Sequence, residues 1–239
     1  MTAFKTIRKR AETRKGGARQ LAALLGATPD NAALAAKTDA RLLSLMAERV
    51  FCAGFVWRVI EQKWPGFETA FLGFEPRALL FQPDEFWEKL ARDPRIVRNP
   101  QKIRSVRDNA AFIEKAGQAT KGFGAALAGW PADDQIGLLD FLGKGGARLG
   151  GMTGQYFLRF AGWDAFILSR DVVACLRAAG VELTEKATSR KDLKAAQAQF
   201  NAWRAETGLA YTHLSRICAL SIGENYDAET LRARVGGED

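Results

Sequence analysis

The 239 residues predict an all-α fold, and three observations carry that reading. Apolar residues recur at steps of three and four over most of the chain. Prolines, serines and asparagines with acids close behind stand where such stretches should begin. No run alternates apolar and polar residues between hairpin turns, as a half-buried strand would require. Hydrophobic residues are 47% of the chain and aromatics 10%, which is too apolar a composition for disorder of the whole.

Taken in order, the first twenty residues carry seven cations against Glu12, so residues 1–20 are expected to be a basic, flexible arm that seeks phosphate. A long helix is predicted from Asp39 to Lys63, because Leu42, Met46, Val50, Ala53, Trp57 and Ile60 form one apolar stripe, and Pro65-Gly66 should end it. Pro83-Asp84-Glu85 starts a short helix through Leu90. Asn99-Pro100 opens another, with Ile103, Val106, Ala110 and Ile113 on one face. Asp133 to Leu142 is helical by Ile136, Leu139 and Leu142, and it runs into the glycine-rich segment 143–151. A second apolar helix with Tyr156, Phe157, Leu158 and Phe160 then stops near Gly162-Trp163. Asp171 to Ala179 forms the next helix. Ser189 with Asp192 makes a capping box ahead of Leu193, Ala196, Phe200 and Trp203. Leu214 to Ile222 is the last helix, before an acidic tail over residues 224–239.

Composition excludes several classes of function. Cys52, Cys175 and Cys218 are dispersed without a CxxC pair, and His213 is the single histidine, so no zinc cage, metal site or disulfide framework is expected. No cofactor is expected either. The longest apolar runs are too short to span a bilayer and residues 1–20 hold no apolar signal core, so the sequence reads as a cytoplasmic protein without a membrane partner. A net charge of +8 and a pI near 9.6 point to a polyanion.

The glycine-rich segment is the most informative motif. A Walker A loop fails because Lys144 is followed by Gly145, which lacks the hydroxyl that would hold magnesium. A dinucleotide fingerprint fails because the preceding segment is helical. A tight helix-to-helix hairpin remains, in which the second helix's first amides can approach a phosphate.

Leu149-Gly150-Gly151-Met152-Thr153-Gly154-Gln155-Tyr156 resembles the hairpin of the helix-hairpin-helix DNA glycosylases, with Gly150 in place of a proline and Thr153 in place of the second glycine. Ala53-Gly54-Phe55-Val56-Trp57, followed by Phe67, Ala70-Phe71 and Phe74-Glu75-Pro76, is similar to two segments of the 3-methyladenine DNA glycosylase I family. Ile96-Val97-Arg98 through Lys102-Ile103 to Asn109-Ala110 is similar to that family's next helix.

This resemblance implies a helix-hairpin-helix bundle of two helical lobes, with a pocket between them that receives an extrahelical base. The domain would cover 21–223, with the hairpin near 142–160 and the terminal helices packed as a second lobe. It implies a monofunctional glycosylase that removes an alkylated purine such as 3-methyladenine from double-stranded DNA, acting as a monomer at a bacterial-type nucleoid. The alternative is a non-catalytic DNA binder that has lost the pocket acid.

Trp57 matches the family's stacking tryptophan, and Phe51, Phe55 and Tyr156 are its candidate companions in the base pocket. The family's base-binding glutamate falls on Arg49, with Glu48 adjacent. The segment where many relatives place a catalytic aspartate aligns Ser169 with it, two residues before Asp171. Glu48 and Asp171 are therefore the candidate catalytic carboxylates. The lysine of bifunctional relatives aligns with Gln155, whose amide cannot form a Schiff base. Gly150, Gly151, Thr153 and Gly154 are expected to contact DNA through the backbone, and Arg148 and Lys102 through charge.

Overall fold

The computed structural model describes residues 3–226, and its regular elements are helices, with no strand among the described residues. In chain order they are α1 (Phe4–Arg14), α2 (Ala18–Leu25), α3 (Asn31–Ala35), α4 (Asp39–Cys52), α5 (Trp57–Ala70), α6 (Pro76–Leu80), α7 (Asp84–Leu90), α8 (Pro100–Gly117), α9 (Phe123–Ala128), α10 (Gln135–Gly145), α11 (Gly151–Ala161), α12 (Arg170–Ala178), α13 (Arg190–Thr207) and α14 (Tyr211–Ser221). They form two compact units. Among the described residues, a terminal unit combines 3–29, 131–136 and 164–226, and a central unit holds 30–130 and 137–163.

In the terminal unit, the Asp164 carboxylate accepts the N–H groups of Tyr211 at 3.1 Å and Thr212 at 2.9 Å, and also Nη1 of Arg204 at 2.8 Å. It thereby supplies the cap that α14 lacks, because its N-cap residue Ala210 has no side-chain oxygen. The basic arm expected at 1–20 is corrected here. Phe4, Ile7 and Ala11 line one stripe of α1 and are buried, and the Phe4 ring lies 5.2 Å from that of Trp203. Arg10 donates to Ser221 Oγ at 3.1 Å, and Arg14 donates to the Gly223 carbonyl at 2.6 Å. Three apolar residues at helical spacing dock the segment, and part of its charge is spent holding the end of α14. The acidic tail beyond Tyr226 lies outside the described residues.

The central unit is built around α4, whose residues Leu42 to Ala47 and Arg49 to Cys52 are buried. Phe51 meets Phe67 edge-on at 4.7 Å, and Trp64, Phe67, Phe71 and Phe74 stack in series. The single helix expected from Asp39 to Lys63 is two helices. Residues 53–56 form a turn with Gly54 at φ 75°, and Lys102 Nζ donates to the carbonyls of Phe51 at 3.0 Å and Ala53 at 2.5 Å, closing the end of α4. The apolar repeat continues through this turn because Val50 and Ile60, one in each helix, are both buried in the core. Pro65, expected to end the helix, lies inside α5. Burial of Phe67 and Ala70 beyond it outweighs the one backbone hydrogen bond a proline removes.

Docking of α1 makes a testable difference. Phe4→Ala should lower unfolding stability by about 3–5 kcal/mol in a denaturant titration, whereas a flexible arm would tolerate the change within about 0.5 kcal/mol.

Candidate functional site

The hairpin joins α10 to α11 and is held from α8. The Asn109 side-chain amide donates to the Ala147 carbonyl at 3.1 Å and accepts the Ala147 N–H at 2.7 Å, closing the loop in both directions. Gly154 is a packing requirement, since a Cβ there would run into the Leu149 carbonyl oxygen. Gly151 faces open space but has φ 59°, which glycine adopts without strain. Gly150 is the N-cap of α11 and offers no side-chain acceptor, so the first amides of an eleven-residue helix start beside a basic loop. Arg148 in that loop is exposed and reaches Gln101 Oε1 at 3.2 Å.

Next to the hairpin lies a cavity of about 490 Å³ lined by Arg49, Cys52, Ala53, Gly54, Phe55, Val56, Trp57, Met152, Thr153 and Tyr156. Its volume falls within the roughly 300–1,000 Å³ of small-molecule sites. All of its walls belong to the central unit: the end of α4, the turn after it, the start of α5 and the start of α11. Trp57 stands edge-on to Tyr156 at 5.1 Å and to Phe160 at 6.0 Å. Phe55, Val56 and Met152 form an apolar mouth, 42%, 71% and 38% exposed, which is a surface suited to insertion between bases.

Arg49 is the unusual member of this set. Its side chain is buried, its guanidinium lies 4.6 Å from the Trp57 ring and 4.0 Å from the Phe160 ring, and Nη2 pairs with Glu48 Oε1 at 2.5 Å. Nε and Nη1 have no hydrogen-bond partner. Burial raises the Glu48 carboxyl above the ordinary glutamate value, with Arg49 pulling the other way. Burial likewise pushes the Cys52 thiol up to about 11, so it is neutral near pH 7. Among the described residues, none that lines the cavity carries a carboxylate.

The structure brings Arg49, Phe55, Trp57, Tyr156 and Thr153 to one cavity and Glu48 behind it, and it distributes the other expected residues elsewhere. Phe51 is buried in the aromatic core, where its backbone carbonyl accepts from Lys102 Nζ and its ring lies 6.0 Å from that ammonium. Lys102, expected to face phosphate, is 4% exposed and closes α4 instead, with burial lowering its pKa. Ser169 caps α12, its Oγ accepting the Val172 N–H at 3.4 Å. Asp171 stands in the first turn of α12 in the terminal unit, where its carboxylate packs against Gly223. The Trp57 cavity lies within the central unit. Phe160 and Met152 escaped sequence reasoning. The signal for Phe160 was its position four residues after Tyr156, on the same face of α11.

The chain thus sets an aromatic-lined cavity beside the helical hairpin. Residues 33–136, somewhat less than half of the chain, match the model of the methyladenine glycosylase family. Solved structures of 3-methyladenine DNA glycosylases I are among those similar to the chain. The 3-methyladenine DNA glycosylase I of Staphylococcus aureus, solved to define 3-methyladenine recognition, is 24% identical with a TM-score of 0.47, over 53% of this chain and 77% of that one. Another 3-methyladenine DNA glycosylase I is 19% identical with a TM-score of 0.47, over 57% of this chain and 82% of that one. No curated protein matches the chain in sequence. Among the described residues no helix is long and apolar enough to cross a membrane, and no group of His, Cys, Asp and Glu could hold a metal.

Two substitutions separate packing from contact with DNA. Gly154→Ala should destabilise the protein by about 1–3 kcal/mol, because the hairpin must open to admit a methyl group. Lys102→Met should cost a similar amount by leaving two carbonyls without their donor, with duplex affinity unchanged once the variant is folded. A large loss of affinity in folded Lys102→Met would return this lysine to the DNA interface.

Proposed function

We propose that the protein is a monofunctional DNA glycosylase of base-excision repair. It holds duplex DNA through the hairpin, draws a damaged purine out of the stack and hydrolyses its N-glycosidic bond. The damaged base is of the alkylated class that names the family. The observation that carries this reading is the Trp57 cavity lying against the N-terminus of α11, with its α4–α5 wall inside the family segment.

The chemistry follows from the parts. Phosphate meets the amides of Gly151, Met152 and Thr153 at the helix N-terminus, with Arg148 beside them. Phe55, Val56 and Met152 fill the stack the base has left. Trp57 offers a face or edge to the extruded ring, and Tyr156 fixes Trp57. As the bond from C1′ to the base nitrogen breaks, its electron pair leaves with the base. Water then adds its oxygen to C1′ and gives up a proton to solvent. Gln155 is buried where the lyase lysine would stand, so no amine reaches C1′ from that position. The protein acts as a monomer, and its location is the cytoplasm at a bacterial nucleoid.

A second reading has one observation in its favour. With no carboxylate among the lining residues, nothing in the cavity wall polarises water, as a binder without catalysis would have it.

Chromatography of bases released from alkylated and deaminated duplex DNA decides between the two. The glycosylase releases free purine and leaves abasic sites intact until alkali is added, and borohydride traps no covalent complex. Trp57→Ala forfeits about 1–3 kcal/mol of base recognition, as stacking losses do, while undamaged-duplex binding persists. Binding without release of any base leaves only the non-catalytic reading.

A further inference from the structure

The terminal unit holds two cysteines that the proposed chemistry does not use. Cys175 on α12 and Cys218 on α14 lie far apart in sequence, yet the two helices pack against each other and bring the side chains into hydrogen-bond contact. Both are fully buried, and both are free thiols. Arg10 of α1 closes the group, its Nη2 donating to Cys175 Sγ at 3.7 Å and to Ser221 Oγ at 3.1 Å. Ser221 Oγ lies 3.5 Å from Cys175 Sγ and donates to the Cys218 carbonyl at 2.8 Å. Three helices of one unit thus converge on a pair of sulfurs and a guanidinium.

The two sulfurs are not equivalent. The Cys218 thiol pulls the pKa of its partner Cys175 down, against burial, and Ser221 and Arg10 pull the same way. Burial pushes Cys218 itself up. A thiolate beside a guanidinium is the nucleophilic form of cysteine, and a thiol in contact with it is placed to attack once that first sulfur is oxidised. Cys52 supplies the contrast within the same chain. Burial holds its thiol neutral, and the other two cysteines belong to the other unit.

We propose that Cys175 and Cys218 are an oxidisable pair, in which a small hydroperoxide oxidises Cys175 and Cys218 resolves the product to a disulfide linking α12 to α14. This goes beyond the glycosylase reading and does not depend on it. In the first step the Cys175 thiolate attacks one peroxide oxygen, the O–O bond breaks, and hydroxide leaves as the sulfur becomes a sulfenic acid. In the second the Cys218 sulfur attacks Cys175, the S–O bond breaks, and a second hydroxide leaves. The protons given up by the two thiols convert both hydroxides to water, so two thiols and one hydrogen peroxide yield one disulfide and two waters. Burial restricts the oxidant to a molecule of that size, and its access follows local opening of α1, the helix that places Arg10 on Cys175. A dithiol reverses the change.

The test treats the folded full chain with hydrogen peroxide, alkylates the remaining thiols in denaturant and maps the peptides without reduction. The Cys175 peptide should be joined to the Cys218 peptide with Cys52 still alkylated, and the link should form at least about tenfold faster than Cys52 is consumed. Dithiothreitol should restore both thiols. In Cys218→Ser the same treatment should leave on Cys175 a sulfenic acid that dimedone captures, whereas in Cys175→Ser dimedone should capture Cys218 at least about fivefold less. A chain whose three cysteines all stay reduced, or whose Cys52 is oxidised ahead of the pair, overturns the proposal. Overoxidation of Cys175 without a link to Cys218 overturns it too, and equal capture in the two variants overturns the roles assigned to the sulfurs. If either serine variant fails to fold, the wild-type peptide map decides alone.

Discussion

The buried guanidinium of Arg49 is the constraint around which the candidate site is arranged. It touches three helices at once: Glu48 on its own α4, Trp57 at the start of α5, and Phe160 on α11. A charge in such a place is tolerable only if its partners stay put, because stripping one partner from a buried pair costs several kcal/mol. The position of the two aromatic rings is therefore tied to the charge, and the cavity they help to shape is organised before any ligand arrives.

Two further devices hold the walls. Lys102 ends α4 by donating to the carbonyls of Phe51 and Ala53, and the turn of residues 53–56 that follows presents Phe55 and Val56 outward. Asn109, seven residues on in the same helix, clamps the hairpin loop through Ala147. One helix, α8, thus positions both the apolar mouth and the start of α11. A cavity wall and a helix N-terminus are set by residues that touch no substrate themselves.

Much of this was legible in the sequence because it rests on periodicity and on helix starts. The helix opened by Asn99-Pro100, the hairpin at the glycine-rich segment and the Ser189 cap of α13 all follow from local chemistry that reads the same in isolation. The failures share a different cause. The α4–α5 break is hidden because both helices contribute to one core, so the apolar repeat does not falter where the backbone turns. Charge misled at the N-terminus, where Phe4, Ile7 and Ala11 decide the outcome among seven cations. Lys102 and Ser169 were read as site residues although each serves a helix end, a role visible only once the backbone groups they meet are in place. Trp57 was found because its surroundings matched a family pattern, whereas the unpaired donors of Arg49 are a property of tertiary packing alone.

Arg49 and the rings form one energetic unit, and a double-mutant cycle measures it without any ligand. Arg49→Met, Trp57→Ala and the double variant are compared in denaturant unfolding, with Glu48→Gln in the background so that no buried carboxylate is left unpaired. A desolvated guanidinium over an aromatic face predicts a coupling energy of about 0.5–2 kcal/mol between the two positions. Losses that add to within about 0.3 kcal/mol would contradict the account, because the charge would then contribute nothing to holding Trp57 in the wall of the cavity.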